Sequence, residues 1–250
     1  MPRVKKIIKS VLARFGVEVQ HLKPYGNDVF RDIRKILGER QVGVVFDVGA
    51  NVGQTALAFS QEFPSATIHS FEPSPEAFAS LASSVAGRGR ILAHQIAFGP
   101  RSGKSTMYLA RSSLTGSMLP TSEKAERFLG DLVHDARPVE VAVSSVDDYL
   151  RDQKILHVDL LKLDVQGFEL EVLKGATASL RDNCVSLILT EVNFVSLYEK
   201  QAFFEDIYGE LIRRGFQLVG LYHGDYRTGP FLTWCDALFV NLAALKQRYG

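Results

Sequence analysis

The chain has 250 residues, 46% hydrophobic and 23% charged, the make-up of a globular protein able to bury a sizeable core in one domain. A formal net charge of +1 argues against a surface built to neutralise phosphates, so small-molecule or protein partners are expected and nucleic acid is not. Cys184 and Cys235 stand apart in apolar runs, which excludes a disulfide framework and a CxxC metal site and suits buried thiols in a reducing compartment. No apolar run approaches the roughly 20 residues that span a bilayer, and the N-terminus lacks the apolar core and cleavage site of a secretory signal, so a cytoplasmic protein is expected.

The first predicted element is a basic amphipathic helix. Val4, Ile7, Ile8, Val11, Leu12 and Phe15 share one face, and Arg3, Lys5, Lys6, Lys9 and Arg14 the other. Its apolar face can pack on the domain or on a second subunit, and its basic face also suits an anionic membrane surface. After a turn at Pro24 and Gly26, Asp28 can cap a helix through Leu37, and residues 1–40 read as an N-terminal helical extension before a main domain of residues 41–250. Gly43 to Val48 is the first core strand, Gln54 to Phe63 a helix, Thr67 to Phe71 a second strand and Pro75 to about Val85 a helix capped by Ser74. Ile91 to Phe98 reads as one third strand.

From Gly99 to Ala136 the pattern weakens into a loop-rich insertion, with a strand at Thr106 to Ala110 and a capped helix at Ser122 to Val133. A strand at Val139 to Val143 precedes a short helical turn capped by Ser145 or Asp147. Val158 to Val165 is a strand, and Phe168 to Lys174 a helix with early acids, a late lysine and Gly175 beyond it. Val185 to Val192 is a strand, Ala202 to Arg213 a helix, and Phe216 to Tyr222 and Asp236 to Val240 two closing strands. Strands alternating with helices imply a parallel α/β sheet, here with an antiparallel end because no helix separates the last two strands.

In such sheets ligands bind outside the carboxyl ends of the strands. Asp47, Glu72, Asp164 and Glu191 all lie at or just past such ends. The turn Asp47-Val-Gly49-Ala50-Asn51-Val-Gly53 permits a tight turn and close backbone approach, but it is G-x-x-x-G and lacks the G-x-G-x-x-G fingerprint of a pyrophosphate cradle. A ligand without a diphosphate fits better. Glu72, about 20 residues on, stands where a carboxylate accepts from both hydroxyls of an adenosine ribose. A Rossmann dehydrogenase and a purely steric role for the glycines are the competing readings.

Several stretches, FDVGANVGQTALAF, SFEPSPEAF, IAFGPRSGKSTMYLA, VSSVDDYL and above all LLKLDVQGFELEVLKGA, resemble the FkbM family of S-adenosylmethionine-dependent methyltransferases. The resemblance covers about Val44 to Val240, and departs from the family's frequent pattern in having Gln166 where Glu is common. It implies a class I methyltransferase, Rossmann-like sheet of seven strands in the order 3-2-1-4-5-7-6. S-adenosylmethionine would lie over the ends of strands one to four. By motif position, Gly49, Ala50, Asn51 and Gly53 would hold its methionine part, Asp47 would orient the ammonium and Glu72 would hold the ribose. Ala97, at the end of strand three, would touch adenine through its backbone, and Asp164 would lie beside the methionine part and the reactive methyl. A carboxylate-rich crevice is complementary to a sulfonium and an ammonium.

Methyl transfer is an in-line displacement that needs mainly alignment, with a base for a hydroxyl acceptor. Glu191, His223 and Asp164 are the candidates. A divalent metal such as Mg²⁺ is admitted by the oxygen-rich strand ends but is not favoured, and no metal ligands are assigned. Ser112, Ser113 and Thr115 of the insertion would border a polar acceptor pocket. The resemblance implies O-methylation of a sugar, glycan or glycolipid precursor, with a secondary metabolite as the alternative acceptor and a non-catalytic cofactor-binding partner as the alternative role. A homodimer and a peripheral place at the inner membrane face are compatible with the N-terminal helix.

Overall fold

The most continuously apolar runs form the middle of the molecule. The structure, a computed structural model, describes residues 10–12, 14–16, 24–109, 116–130, 137–226 and 229–249. Most of the basic amphipathic pattern between Val4 and Phe15 lies outside the described residues, as do Ser112, Ser113 and Thr115. Strands β1 (Val44–Val48), β7 (Val158–Leu163) and β8 (Val185–Asn193) are buried almost throughout, as strands covered on both faces must be. With β2 (Thr67–Phe71), β3 (Ile91–His94), β9 (Phe216–Asp225) and β10 (Trp234–Asn241) they make a seven-stranded sheet. Its order is β3-β2-β1-β7-β8-β10-β9, which in terms of its own seven strands is 3-2-1-4-5-7-6. β10 runs antiparallel to both β8 and β9, while the other pairings are parallel.

Helices cover both faces. On one side α1 (Val29–Leu37), α2 (Gln54–Glu62), α3 (Pro75–Ser84) and the closing helix α9 (Leu242–Tyr249) bury Ile33, Phe59, Leu81 and Leu245 against Val45, Ile68, Leu160 and Leu238. On the other, α5 (Val146–Gln153), α6 (Glu169–Lys174), α7 (Thr177–Arg181) and α8 (Phe204–Arg213) bury Leu150, Leu173, Leu180 and Leu211 against Phe46, Leu161, Ile188 and Phe239. The starts of these helices follow local chemistry. Asp28 accepts from the Arg31 amide at 2.8 Å, and Ser74 caps α3 with Pro75 in its first turn. Ser145 caps α5 through the Asp148 amide at 3.0 Å. Asp147, the other candidate cap, instead accepts from the amides of Ala178 and Ser179, both at 2.8 Å, and so serves the start of α7.

Four expectations are corrected. The run Ile91 to Phe98 is two strands: β3 ends at His94, and β4 (Ala97–Phe98) leaves the main sheet to pair with β6 (Arg137–Ser144). β4, β6 and β5 (Gly103–Leu109) form a separate three-stranded sheet, so Ala97 belongs to that sheet and not to the end of strand three. The helix expected at Ser122 to Val133 is a single turn, α4 (Glu126–Leu129), closed by Gly130 at φ +57°, with residues 131–136 outside the described set. His223 lies within β9 and not in a loop after it, because β9 continues along β10 as far as Asp225. α9 lies beyond the last strand expected from the sequence, which ended at Val240.

Candidate active site

β1 and β2 end side by side, and the turn after β1 is folded onto them. The amides of Gly49 and Ala50 both donate to the Phe71 carbonyl at 3.0 Å, the Asn51 amide donates to Glu72 Oε2 at 2.9 Å, and the Gly53 amide donates to the Ala50 carbonyl at 2.9 Å. A turn with these four amides engaged cannot use them to cradle a pyrophosphate, which rules against the dinucleotide reading on geometry as well as on sequence. Glu72 is tied at its other oxygen by the Ser74 amide at 2.9 Å, so the carboxylate is fixed between turn and helix. Burial raises its pKa, and the two amide donors oppose the rise.

Beyond these groups opens a cavity of about 740 Å³, solvent at its mouth included. Its wall brings together Gly49, Asn51, Glu72, Ala97 and Asp164 of the expected residues. Phe71, Ile96, Phe98, Met107 and Met118 supply an apolar, partly aromatic side, and Gln166 and Ser117 polar points. Asn51 Oδ1 is buried there with no hydrogen-bond partner. An apolar slot, a fixed carboxylate, a second carboxylate and an orphaned carbonyl acceptor fit an adenosine carrying a cationic amino-acid tail.

The other expected residues lie elsewhere. Asp47 is fully buried beneath the wall, its Oδ1 3.2 Å from Lys162 Nζ. Burial pushes its pKa up, and Lys162 counters that. Burial would lower the Lys162 ammonium, but Asp47 and Asp164 outweigh burial and hold it above its ordinary range. Lys162 also donates to the Gly49 carbonyl at 2.9 Å, so this cation pins the glycine turn to β7. Ala50 is buried in the α1–α3 layer, and Gly53, at φ +98°, meets α3 where a Cβ would lie 2.6 Å from Ser84 Oγ.

Glu191 and His223 sit on the far side of Asp164, away from the cavity wall. Glu191 faces Asp236 across β8 and β10, and His223 Nδ1 is 2.8 Å from Asp236 Oδ2. The Glu191 pKa is raised well above the ordinary carboxyl value by burial, with Asp164, Glu169 and Asp236 adding to the rise. Glu169 is likewise pushed up to about 7 by burial, although its Oε1 accepts from the Val165 and Gly167 amides at 2.9 and 3.2 Å. Sequence reasoning missed Lys162, Glu169 and Asp236. The signal was present, since Asp236 is a lone charge in an apolar strand and Lys162 a cation in a buried one, where an ion needs a partner.

A seven-stranded sheet in this order, with a glycine turn after the first strand and a carboxylate ending the second, defines the class I methyltransferases. Residues 47–218 match the methyltransferase FkbM domain. The chain belongs to that family and is an S-adenosylmethionine-dependent methyltransferase. Similar proteins include the 2-O-methyltransferase NoeI of Sinorhizobium fredii, 28% identical over 180 residues covering 69% of this chain and 72% of that one. The 31-O-demethyl-FK506 methyltransferase FkbM of Streptomyces tacrolimicus is 31% identical over 152 residues, 53% of this chain and 58% of the relative. The hexuronic acid methyltransferase AglP of Haloferax volcanii is 26% identical over 163 residues, 64% and 61% of the two chains. The match thus spans less than two thirds of the last two relatives. Among solved structures, the METTL16 methyltransferase domain superposes with a TM-score of 0.49 at 11% identity, over 94% of this chain and 77% of that one.

Proposed function

We propose that the protein transfers a methyl group to a hydroxyl of a sugar, glycan or glycolipid precursor. The observation that carries the reading is the cavity itself, where Glu72 and Asp164 stand beside the orphaned Asn51 acceptor while the amides of the glycine turn are turned inward. Bound there, S-adenosylmethionine supplies an electrophilic methyl on a sulfonium. Glu72 takes the ribose hydroxyls, Ala97 and the apolar side of the cavity hold adenine, and Asn51 and Asp164 receive the cationic tail. Gly49, Ala50 and Gly53 shape the turn, and Asp47 acts from below through Lys162.

On the acceptor side, Glu191 would accept the hydroxyl proton as the oxygen–carbon bond forms and the sulfur–methyl bond breaks, with S-adenosylhomocysteine as the leaving thioether. Burial and the neighbouring carboxylates raise its pKa, so its ionised form is a stronger proton acceptor than an ordinary carboxylate. The His223–Asp236 pair is the second candidate, reached across the β8–β10 pairing. No divalent metal is assigned. A sugar acceptor is supported by the hexuronic acid in the name of AglP, an oxygen acceptor by the 2-O position in the name of NoeI, and the FK506 acceptor in the name of FkbM favours the second reading, a hydroxyl of a secondary metabolite. Residues 41–250 are the catalytic domain in this reading, with residues 1–40 as an N-terminal extension whose helix α1 shares the sheet's apolar layer. Among the described residues no helix is long and apolar enough to cross a membrane, and the N-terminal basic face is the part suited to a lipid-linked acceptor.

Calorimetry with S-adenosylhomocysteine tests the cofactor site. The wild type binds and Glu72→Ala weakens binding by at least about tenfold, the size of a lost hydrogen bond to a charged group. No binding by the wild type would sink the cofactor reading, and equal binding by both proteins would remove Glu72 from the ribose. Methyl incorporation into a panel of nucleotide sugars and lipid-linked saccharides then identifies the acceptor.

A further inference from the structure

Three segments far apart in sequence meet at Gln166. Its carbonyl accepts from Ser117 Oγ at 2.6 Å, its side-chain Oε1 accepts from the Tyr198 hydroxyl at 2.9 Å, and its Nε2 donates to Asp164 Oδ1 at 2.8 Å. Its backbone is held at φ +56°, a left-handed conformation that a non-glycine side chain adopts only when the surroundings impose it. Next to it, Gly167 at φ +90° lies so close to the 198–201 segment that a Cβ would come within 3.0 Å of the Tyr198 ring. That segment is fixed in turn by Gln201, whose Oε1 accepts from the Leu197 and Tyr198 amides at 2.8 and 2.7 Å. It is also bridged to the insertion through Thr121 and Tyr198, and through the Glu199 amide on the Pro120 carbonyl at 2.8 Å.

We infer that Gln166 is a positioning residue for Asp164, holding that carboxylate at the cavity wall and tying it, through Tyr198 and Ser117, to the loop after β8 and to the insertion. The two ends of the amide do different work. An ionised Asp164 can only accept, so the Gln166 nitrogen must face it and the oxygen must face Tyr198. The Asp164 oxygen not held by Gln166 points to Lys162 Nζ at 3.5 Å, so both its oxygens are directed. Because Gln166 is bonded to Ser117, Tyr198 and Asp164 together, displacement of the loop after β8 moves the Asp164 carboxylate. The other charged groups acting on this cluster are Asp47, Glu169, Glu191 and Asp236.

The inference rests on the reading of Asp164 as a cofactor residue, and the test separates the two. S-adenosylhomocysteine binding to the full chain is measured by calorimetry for wild type, Asp164→Asn, Gln166→Leu, Tyr198→Phe and the double variants that add Gln166→Leu or Tyr198→Phe to Asp164→Asn, with thermal melts to confirm folding. Gln166→Leu weakens binding about tenfold, and Tyr198→Phe by a smaller factor. In the Asp164→Asn background Gln166→Leu weakens binding by much less than that, because the carboxylate it positions is already gone. A merely structural role would lower affinity equally in both backgrounds. Wild-type affinity in Asp164→Asn overturns the cofactor role of Asp164. Weakening in Asp164→Asn but not in Gln166→Leu, or equal effects of Gln166→Leu in the two backgrounds, overturns the positioning role alone. Should Gln166→Leu fail to fold, Tyr198→Phe in the two backgrounds decides.

Discussion

Gly49 has no room for a side chain. A Cβ there would fall 1.8 Å from the Asp164 carbonyl oxygen, and its φ of +76° is itself unfavourable to any other residue. Gly49→Ala is therefore expected to push the ends of β1 and β7 apart. It should destabilise the protein by more than about 2 kcal/mol, seen as a lower denaturation midpoint, and abolish S-adenosylhomocysteine binding. A variant with an unchanged midpoint and intact binding would refute the close approach. The glycine could be read in the chain because its left-handed dihedral is a local demand of the turn, and Glu72 because it follows the next strand; the close approach of Asp164 to Gly49 could not. Lys162 could not be assigned a partner, because Asp47 lies 115 positions away and only the pairing of β1 with β7 brings them together.

Element boundaries followed local signals where the signals were unshared. Asp28, Ser74 and Ser145 each cap the helix they precede. Asp147 had two possible uses, and packing of α5 on α7 decided for the second, with its carboxylate on the amides of Ala178 and Ser179 and the hydroxyl of Ser179. Asp147→Ala should cost about 1–2 kcal/mol in thermal or urea denaturation, while leaving α5 capped by Ser145. A change within error would show that solvent satisfies those amides equally well. The run Ile91 to Phe98 has no breaker inside it, so it reads as one strand. It divides because Ala97 and Phe98 find their partners on β6, and because the Phe98 ring packs against Phe71 in the cavity's apolar side, ring centroids 4.5 Å apart.

At the scale of the whole molecule, the sheet gathers Asp47, Glu72, Glu169, Glu191 and Asp236 where burial raises the pKa of each. The clearest case is Glu169, raised from its ordinary 4.5 to about 7. Between those values the folded chain holds more protons than the unfolded one. The contribution of Glu169 is thus fully present below about pH 4.5 and is lost as pH rises through about 7. Glu169→Gln keeps the acceptor for the Val165 and Gly167 amides but removes the charge. It should gain stability relative to wild type between pH 5 and pH 8, by at most on the order of 3 kcal/mol. Denaturation of both proteins at the two pH values checks this, and an equal difference at both would contradict it. The sequence by itself determined the α/β alternation, the class of the sheet and the non-phosphate character of the glycine turn, because periodicity, caps and turn residues act over short distances. Only the tertiary structure decided that Lys162 neutralises Asp47, that Ala97 serves a second sheet, that His223 pairs with Asp236, and that Gln166 joins Ser117, Tyr198 and Asp164. Each of those depends on which strands and loops become neighbours, and that is set by burial of the whole sheet between its helices.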